Sequence, residues 1–109
     1  MTGTYNNFVL RRGDDFIPGT ITYKPAGVAA DLTSYTAKMQ IKKSPGSAVI
    51  LELSTVNSRI TLGGVAGTID LNVAAADTAS LTAGVFEYDL ELTSGAAVVT
   101  TILAGTITI

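Results

Sequence analysis

Val85-Phe86-Glu87-Tyr88-Asp89-Leu90-Glu91-Leu92-Thr93 is the stretch whose reading decides the fold. Phe86, Tyr88, Leu90 and Leu92 alternate with Glu87, Asp89 and Glu91, the period of a strand with one face in a core and the other in water. Its register is strongly specified. A slip of one residue would bury three carboxylates and expose four large apolar groups, each worth about 1.5–3 kcal/mol when buried. The same alternation appears at residues 34–42, where Tyr35, Ala37, Met39 and Ile41 oppose Thr36, Lys38, Gln40 and Lys42. It recurs at residues 68–73, where Ile69, Leu71 and Val73 oppose Thr68, Asp70 and Asn72.

Composition agrees with strands and bounds the function. With 109 residues the chain is expected to form one domain, residues 1–109, whose folded surface should be about 5,700 Å² by area scaling. There are no cysteines and no histidines, which removes disulfides, thiolate chemistry, the usual zinc sites and histidine-dependent catalysis. Charged residues make up 15% with a net charge of −2, so no basic patch for nucleic acid is expected. The 47% hydrophobic fraction is dispersed, with no apolar run longer than about four residues against the ~18 a membrane helix needs. We therefore expect a soluble protein with no membrane partner. The opening MTGTYNNFVL lacks a basic stretch and a following apolar core, so no secretory signal is expected.

Weaker strand patterns cover residues 7–11, 16–24, 48–54, 59–62 and 97–109. Turn signals separate them: Arg12-Gly13-Asp14, Lys24-Pro25-Ala26-Gly27, Ser44-Pro45-Gly46-Ser47, Gly63-Gly64 and Ser94-Gly95. Pro18-Gly19 should place the second strand at a sheet edge or give it a bulge, and Ala104-Gly105 should mark a bulge in the last strand. A short helical turn is expected at residues 74–81. Together these describe an all-β, immunoglobulin-like β-sandwich of 7–9 short antiparallel strands, lacking the tryptophan and cysteines of antibody domains.

Each candidate site competes with a structural role. Arg12-Gly13-Asp14 spells an adhesion tripeptide, but glycine between arginine and aspartate is ordinary turn chemistry. Asp14 and Asp15 beside Arg11 and Arg12 are expected to make local ion pairs and to cap backbone amides. Glu87, Asp89 and Glu91 offer hard oxygens, yet alternate residues on a strand lie ~7 Å apart while Ca²⁺ takes oxygens at about 2.3–2.6 Å. A solvated row partly neutralised by Lys38 or Lys42 fits better. Nor does any feature supply the cleft that a carboxylate pair needs for glycoside hydrolysis. Gly63-Gly64-Val65-Ala66-Gly67 is followed by Thr68 opening a strand, not by the lysine and helix of a phosphate loop. Tyr5, Tyr23, Tyr35 and Tyr88 could stack on sugars, but Tyr35 and Tyr88 fall on apolar faces. The expectation is no catalytic residue, cofactor or metal.

Taken in order, Arg12-Gly13-Asp14-Asp15-Phe16, Asp31-Leu32-Thr33, Met39-Gln40-Ile41, Ala75-Ala76-Asp77-Thr78-Ala79 and Phe86-Glu87-Tyr88-Asp89-Leu90-Glu91-Leu92 resemble small bacteriophage and prophage virion proteins. That group includes the N-terminal domains of phage baseplate upper proteins and fibre adaptors. The resemblance runs from about residue 8 to Ile109 and implies a non-enzymatic β-sandwich, made in the bacterial cytoplasm and assembled into a virion beside other phage structural proteins and copies of itself. The expected place is the tail, baseplate or fibre attachment. The alternative is a capsid decoration protein on the head, and a carbohydrate-binding module is a third, different class. A low-charge surface and an open edge on the last strand lead us to expect Thr106, Ile107, Thr108 and Ile109 in or beside a contact, within the fold or between subunits.

Overall fold

The computed structural model describes residues 4–5, 7–25, 27–44 and 46–109, with the backbone alone at 4 and 5. Ala26 and Pro45 of two expected turns, the Tyr5 side chain, and residues 1–3 and 6 lie outside the described residues. Both turns are nonetheless closed by backbone hydrogen bonds, from Gly27 N–H to Lys24 C=O at 3.3 Å and from Ser47 N–H to Ser44 C=O at 3.0 Å.

Nine strands are present among the described residues: β1 (Thr4–Tyr5), β2 (Phe8–Val9), β3 (Thr20–Thr22), β4 (Thr36–Lys42), β5 (Val49–Ser54), β6 (Ile60–Leu62), β7 (Thr68–Leu71), β8 (Val85–Thr93) and β9 (Val99–Thr108). One helical turn, α1 (Ala75–Thr78), sits inside the expected window, and a 3-10 turn spans Gly64–Ala66. The larger sheet runs β1-β9-β8-β4-β5, with β2 also on β9; the smaller runs β3-β7-β6. In immunoglobulin lettering, β3 to β9 take positions B, C, C′, D, E, F and G of a sandwich of the variable type. The N-terminal strands join the strand at position G. They lie parallel on β9, Thr4 beside Leu103 and Phe8 beside Ile107, rather than on the B strand. The expectation of purely antiparallel strands is corrected there, because a chain entering and leaving at neighbouring positions of one sheet can pair its ends in parallel without a crossover of its own.

Alternation becomes packing as the pattern requires. Phe86, Tyr88, Leu90 and Leu92 of β8 are buried, as are Ala37, Met39 and Ile41 of β4 and Leu51 and Leu53 of β5. Ile60, Ile69 and Leu71 of the smaller sheet face them across one core. The total accessible surface, 6027 Å², is close to the area expected for this length. Tyr88 lies under the Phe8 ring at 5.3 Å between centroids, and Phe8 meets Phe16 edge-on at 5.9 Å. Burial pushes the Tyr88 phenol up to about 12, so it stays neutral at ordinary pH.

Two local expectations change. The irregularity in the last strand is at Ile102, not at Ala104-Gly105: Leu90 pairs Leu103 and Glu91 pairs Thr101, while Ala104 and Gly105 keep register with Asp89 and Tyr88. The extra residue lets Ile102 and Leu103 both be buried although they are neighbours. The strand expected at residues 16–24 shrinks to Thr20–Thr22 at the edge of the smaller sheet, with Phe16 held by an isolated bridge to Val73. Pro18-Gly19 breaks it, which leaves Ile17 62% exposed.

Candidate functional site

The C-terminal quartet is tied down on both sides. Phe86 pairs Ile107 on one flank and Phe8 on the other, and Thr108 lies between Val85 and Val9. Where β1 gives way to β2, Asn7 bridges the interval: the Thr106 N–H and hydroxyl both donate to Asn7 Oδ1, at 3.2 and 3.0 Å. Leu10 N–H then donates to Thr108 C=O at 2.8 Å, and Ile109 exchanges two hydrogen bonds with Gly84. The open edge expected on β9 is therefore closed by the protein's own N-terminal strands, a pairing too distant in sequence for local pattern to reveal. Ile107 makes its contact inside the core with no exposure, Ile109 is half-buried against it, and Thr106 and Thr108 face outward.

Glu87, Asp89 and Glu91 stand on the outer face of β8, with Lys42, Gln40 and Lys38 of β4 directly opposite them in register. No group of three or more candidate ligands converges on one point among the described residues. The only ion pair among those residues is Arg59 to Asp77, at 3.1 Å, so the facing lysines and carboxylates are unpaired. A chelator should leave the melting temperature unchanged and Ca²⁺ should give no binding heat. Micromolar binding in a calorimetric titration would overturn this reading of the row.

Arg12-Gly13-Asp14 turns out to be fastened to α1. The wholly buried Thr78 hydroxyl accepts from Gly13 N–H at 3.0 Å and donates to Asp14 C=O at 2.8 Å. Beside it, Asp15 Oδ1 accepts from Ala75 N–H at 2.7 Å and so caps the helical turn from sixty residues away in sequence. Arg12 reaches Leu81 C=O at 3.3 Å. The amide-capping role expected of the aspartates is present at Asp15, whereas the local ion pairs with Arg11 and Arg12 are not formed. Thr78 stood in the sequence only as one residue of the Ala75–Ala79 motif, with nothing to single out its hydroxyl. Replacing it with valine keeps the volume but strands a buried N–H and C=O, and we expect a loss of about 1–3 kcal/mol by chemical denaturation. Ser80→Ala, on the same turn but exposed, should change stability by less than about 0.5 kcal/mol.

Two further polar side chains act on a sheet edge. Glu52 C=O, on the free side of β5, accepts from Asn57 Nδ2 and from Arg59 Nη1, each at 2.9 Å. Ser54 N–H, two residues on, donates to Asn57 Oδ1 at 2.9 Å. This part of the β5 edge is thus occupied by the loop that follows it, which blunts strand addition there. Elsewhere, Asp31 turns its own backbone by accepting from Thr33 N–H and Oγ1 at 2.9 and 2.6 Å, and those bonds hold its carboxyl below the ordinary carboxylate range. Tyr23 and Tyr35 are half-buried against the core and Tyr88 is buried, so these three do not form one exposed platform. Among the described residues no helix is long and apolar enough to cross a membrane. Compared with protein-family models and with characterised proteins, the sequence finds no match.

Proposed function

We propose that this protein is a non-enzymatic structural module of a bacteriophage particle, present in many copies and docking through protein contacts on the tail, baseplate or fibre attachment. The observation that carries the reading is how the resembling motifs converge. Arg12–Phe16 and Ala75–Ala79 lie far apart in sequence, yet Thr78 and Asp15 join them into one clasp. Leu32 of the Asp31-Leu32-Thr33 turn is buried in the same core where Met39 pairs with Leu90 and Ile41 with Tyr88. The motif order therefore encodes one framework, as a shared family pattern should. The surface adds support. Val9, Val56, Val65 and Val98 are each at least 60% exposed, and a subunit covering valine and threonine has little charge to desolvate.

Mass spectrometry of purified particles tests the proposal. The protein should appear among the virion components in multiple copies, and imaging of the intact particle should find it on the tail. Density on the capsid exterior would make it a head decoration protein instead. Absence from virions, with abundance in the infected cell, would overturn the structural role.

A further inference from the structure

We propose that the outer face of the larger sheet is a self-docking surface, on which a second copy of this chain packs face to face about a twofold axis running along the strands between β4 and β8. This goes beyond the virion reading and does not depend on it. Two adjacent strands carry rows of opposite sign: Lys38 and Lys42 on β4, Glu87, Asp89 and Glu91 on β8. The rows are in register, Lys38 opposite Glu91, Gln40 opposite Asp89 and Lys42 opposite Glu87. Within one chain these charges form no ion pair.

A twofold axis in the plane of the contact and parallel to the strands carries each residue to its mirror position across the axis at the same height. Placed between β4 and β8, it sets Lys38 of one copy over Glu91 of the other, Lys42 over Glu87, and the Gln40 amide over the Asp89 carboxylate. Each contact occurs twice, as an isologous interface requires. Stacked sheets cross at about 30°, which displaces positions ~7 Å from the centre by about 3.5 Å, within reach of a lysine side chain. Bordering the charged rows, Ala104 and Thr106 of β9 and Thr36 of β4 are small, while Ser54 and Glu52 of β5 stand beside Lys38 and Gln40 on the same face.

Strand addition at the sheet edges, the other route to self-association, is blunted at several places. The β9 strand is covered by β1, β2 and Asn7, and on β5 the outward Glu52 C=O and Ser54 N–H are held by Asn57 and Arg59. β3 has only three residues and lies between Pro18 and Pro25. The five-strand face spans about 19 Å by about 20 Å, at the small end of interface sizes, so the association should be weak and reversible.

Sedimentation of the purified full chain reads this directly. The wild type should show a monomer–dimer equilibrium that weakens about tenfold between 0.15 and 1 M salt, as the screening length falls from about 8 to about 3 Å. Lys38→Glu with Lys42→Glu makes the rows alike in sign, and Glu87→Lys with Glu91→Lys does so in the other direction, so each variant alone should be monomeric. Mixed one to one they should form a heterodimer, because every cross-axis pair is again of opposite charge. The fourfold swap in a single chain should restore the homodimer, which also covers the case of a double variant that folds poorly. A wild type monomeric up to about 1 mM, where even a millimolar dissociation constant shows as dimer, would overturn the proposal. So would double variants that dimerise like the wild type, or a mixture that stays monomeric.

Discussion

Leu90→Ala is expected to lower the free energy of unfolding by about 2–5 kcal/mol, while Glu91→Ala, one residue further along the same strand, should stay within about 0.5 kcal/mol. Leu90 has no exposed surface and lies in the middle of the larger sheet, between Met39 of β4 and Leu103 of β9. Its truncation opens a cavity lined by strands paired on both sides, which cannot collapse inward without breaking their ladders. Glu91 points to the outer face and has no ionic partner to lose. For a domain whose whole stability is about 5–15 kcal/mol, the first change takes a large share. Urea titrations should show a lowered midpoint at unchanged slope for Leu90→Ala. Equal shifts for the two variants would refute the facing of β8.

Gly67→Ala is the second large effect, about 2–5 kcal/mol, combining a left-handed backbone with overpacking. Gly67 ends the 3-10 turn with φ 68 and ψ 19. A Cβ built there would lie 2.7 Å from Ala30 O and 3.0 Å from Ala30 N. Both atoms are backbone and cannot rotate aside, and they belong to a segment already bonded to Tyr23, whose N–H in turn donates to Gly67 C=O. Gly64→Ala separates the two causes. Its φ is 62, but its nearest neighbour is Thr33 Oγ1 at 3.7 Å, so only the backbone preference is lost, about 1–2 kcal/mol. Equal melting shifts for the two variants would show that the approach to Ala30 costs nothing.

How far the sequence could be read depended on whether a feature was local. β8 has the bounds its alternation predicts, Val85–Thr93, because each side chain's face follows from its parity alone. β4 and α1 were legible for the same kind of reason. The bulge was misplaced because glycine is a marker of permissiveness, not of need: the residue that slips register is Ile102, whose burial beside Leu103 depends on the opposing sheet. The pairing of β1 and β2 with β9 joins residues about a hundred positions apart, and two-residue strands carry no periodicity to betray them. For the candidate site, the lysine and carboxylate rows were visible as outward faces, and the suggestion that Lys38 or Lys42 lies across from the carboxylates agrees with the register. The roles of Thr78, Asn7 and Asn57 were invisible because their value lies in a backbone group brought to them by the fold.

The parallel seam between the N-terminal strands and β9 also governs how the domain carries load. A pull directed back along the chain from Thr4 and forward along it from Thr108 acts at opposite ends of that seam, so the two partners slide past each other lengthwise. All of its hydrogen bonds, the Asn7 bridge to Thr106 included, are then strained at once, whereas a hairpin peeled from one end gives way a bond at a time. The chain is therefore built to resist tension along its own direction far better than tension across the sheet.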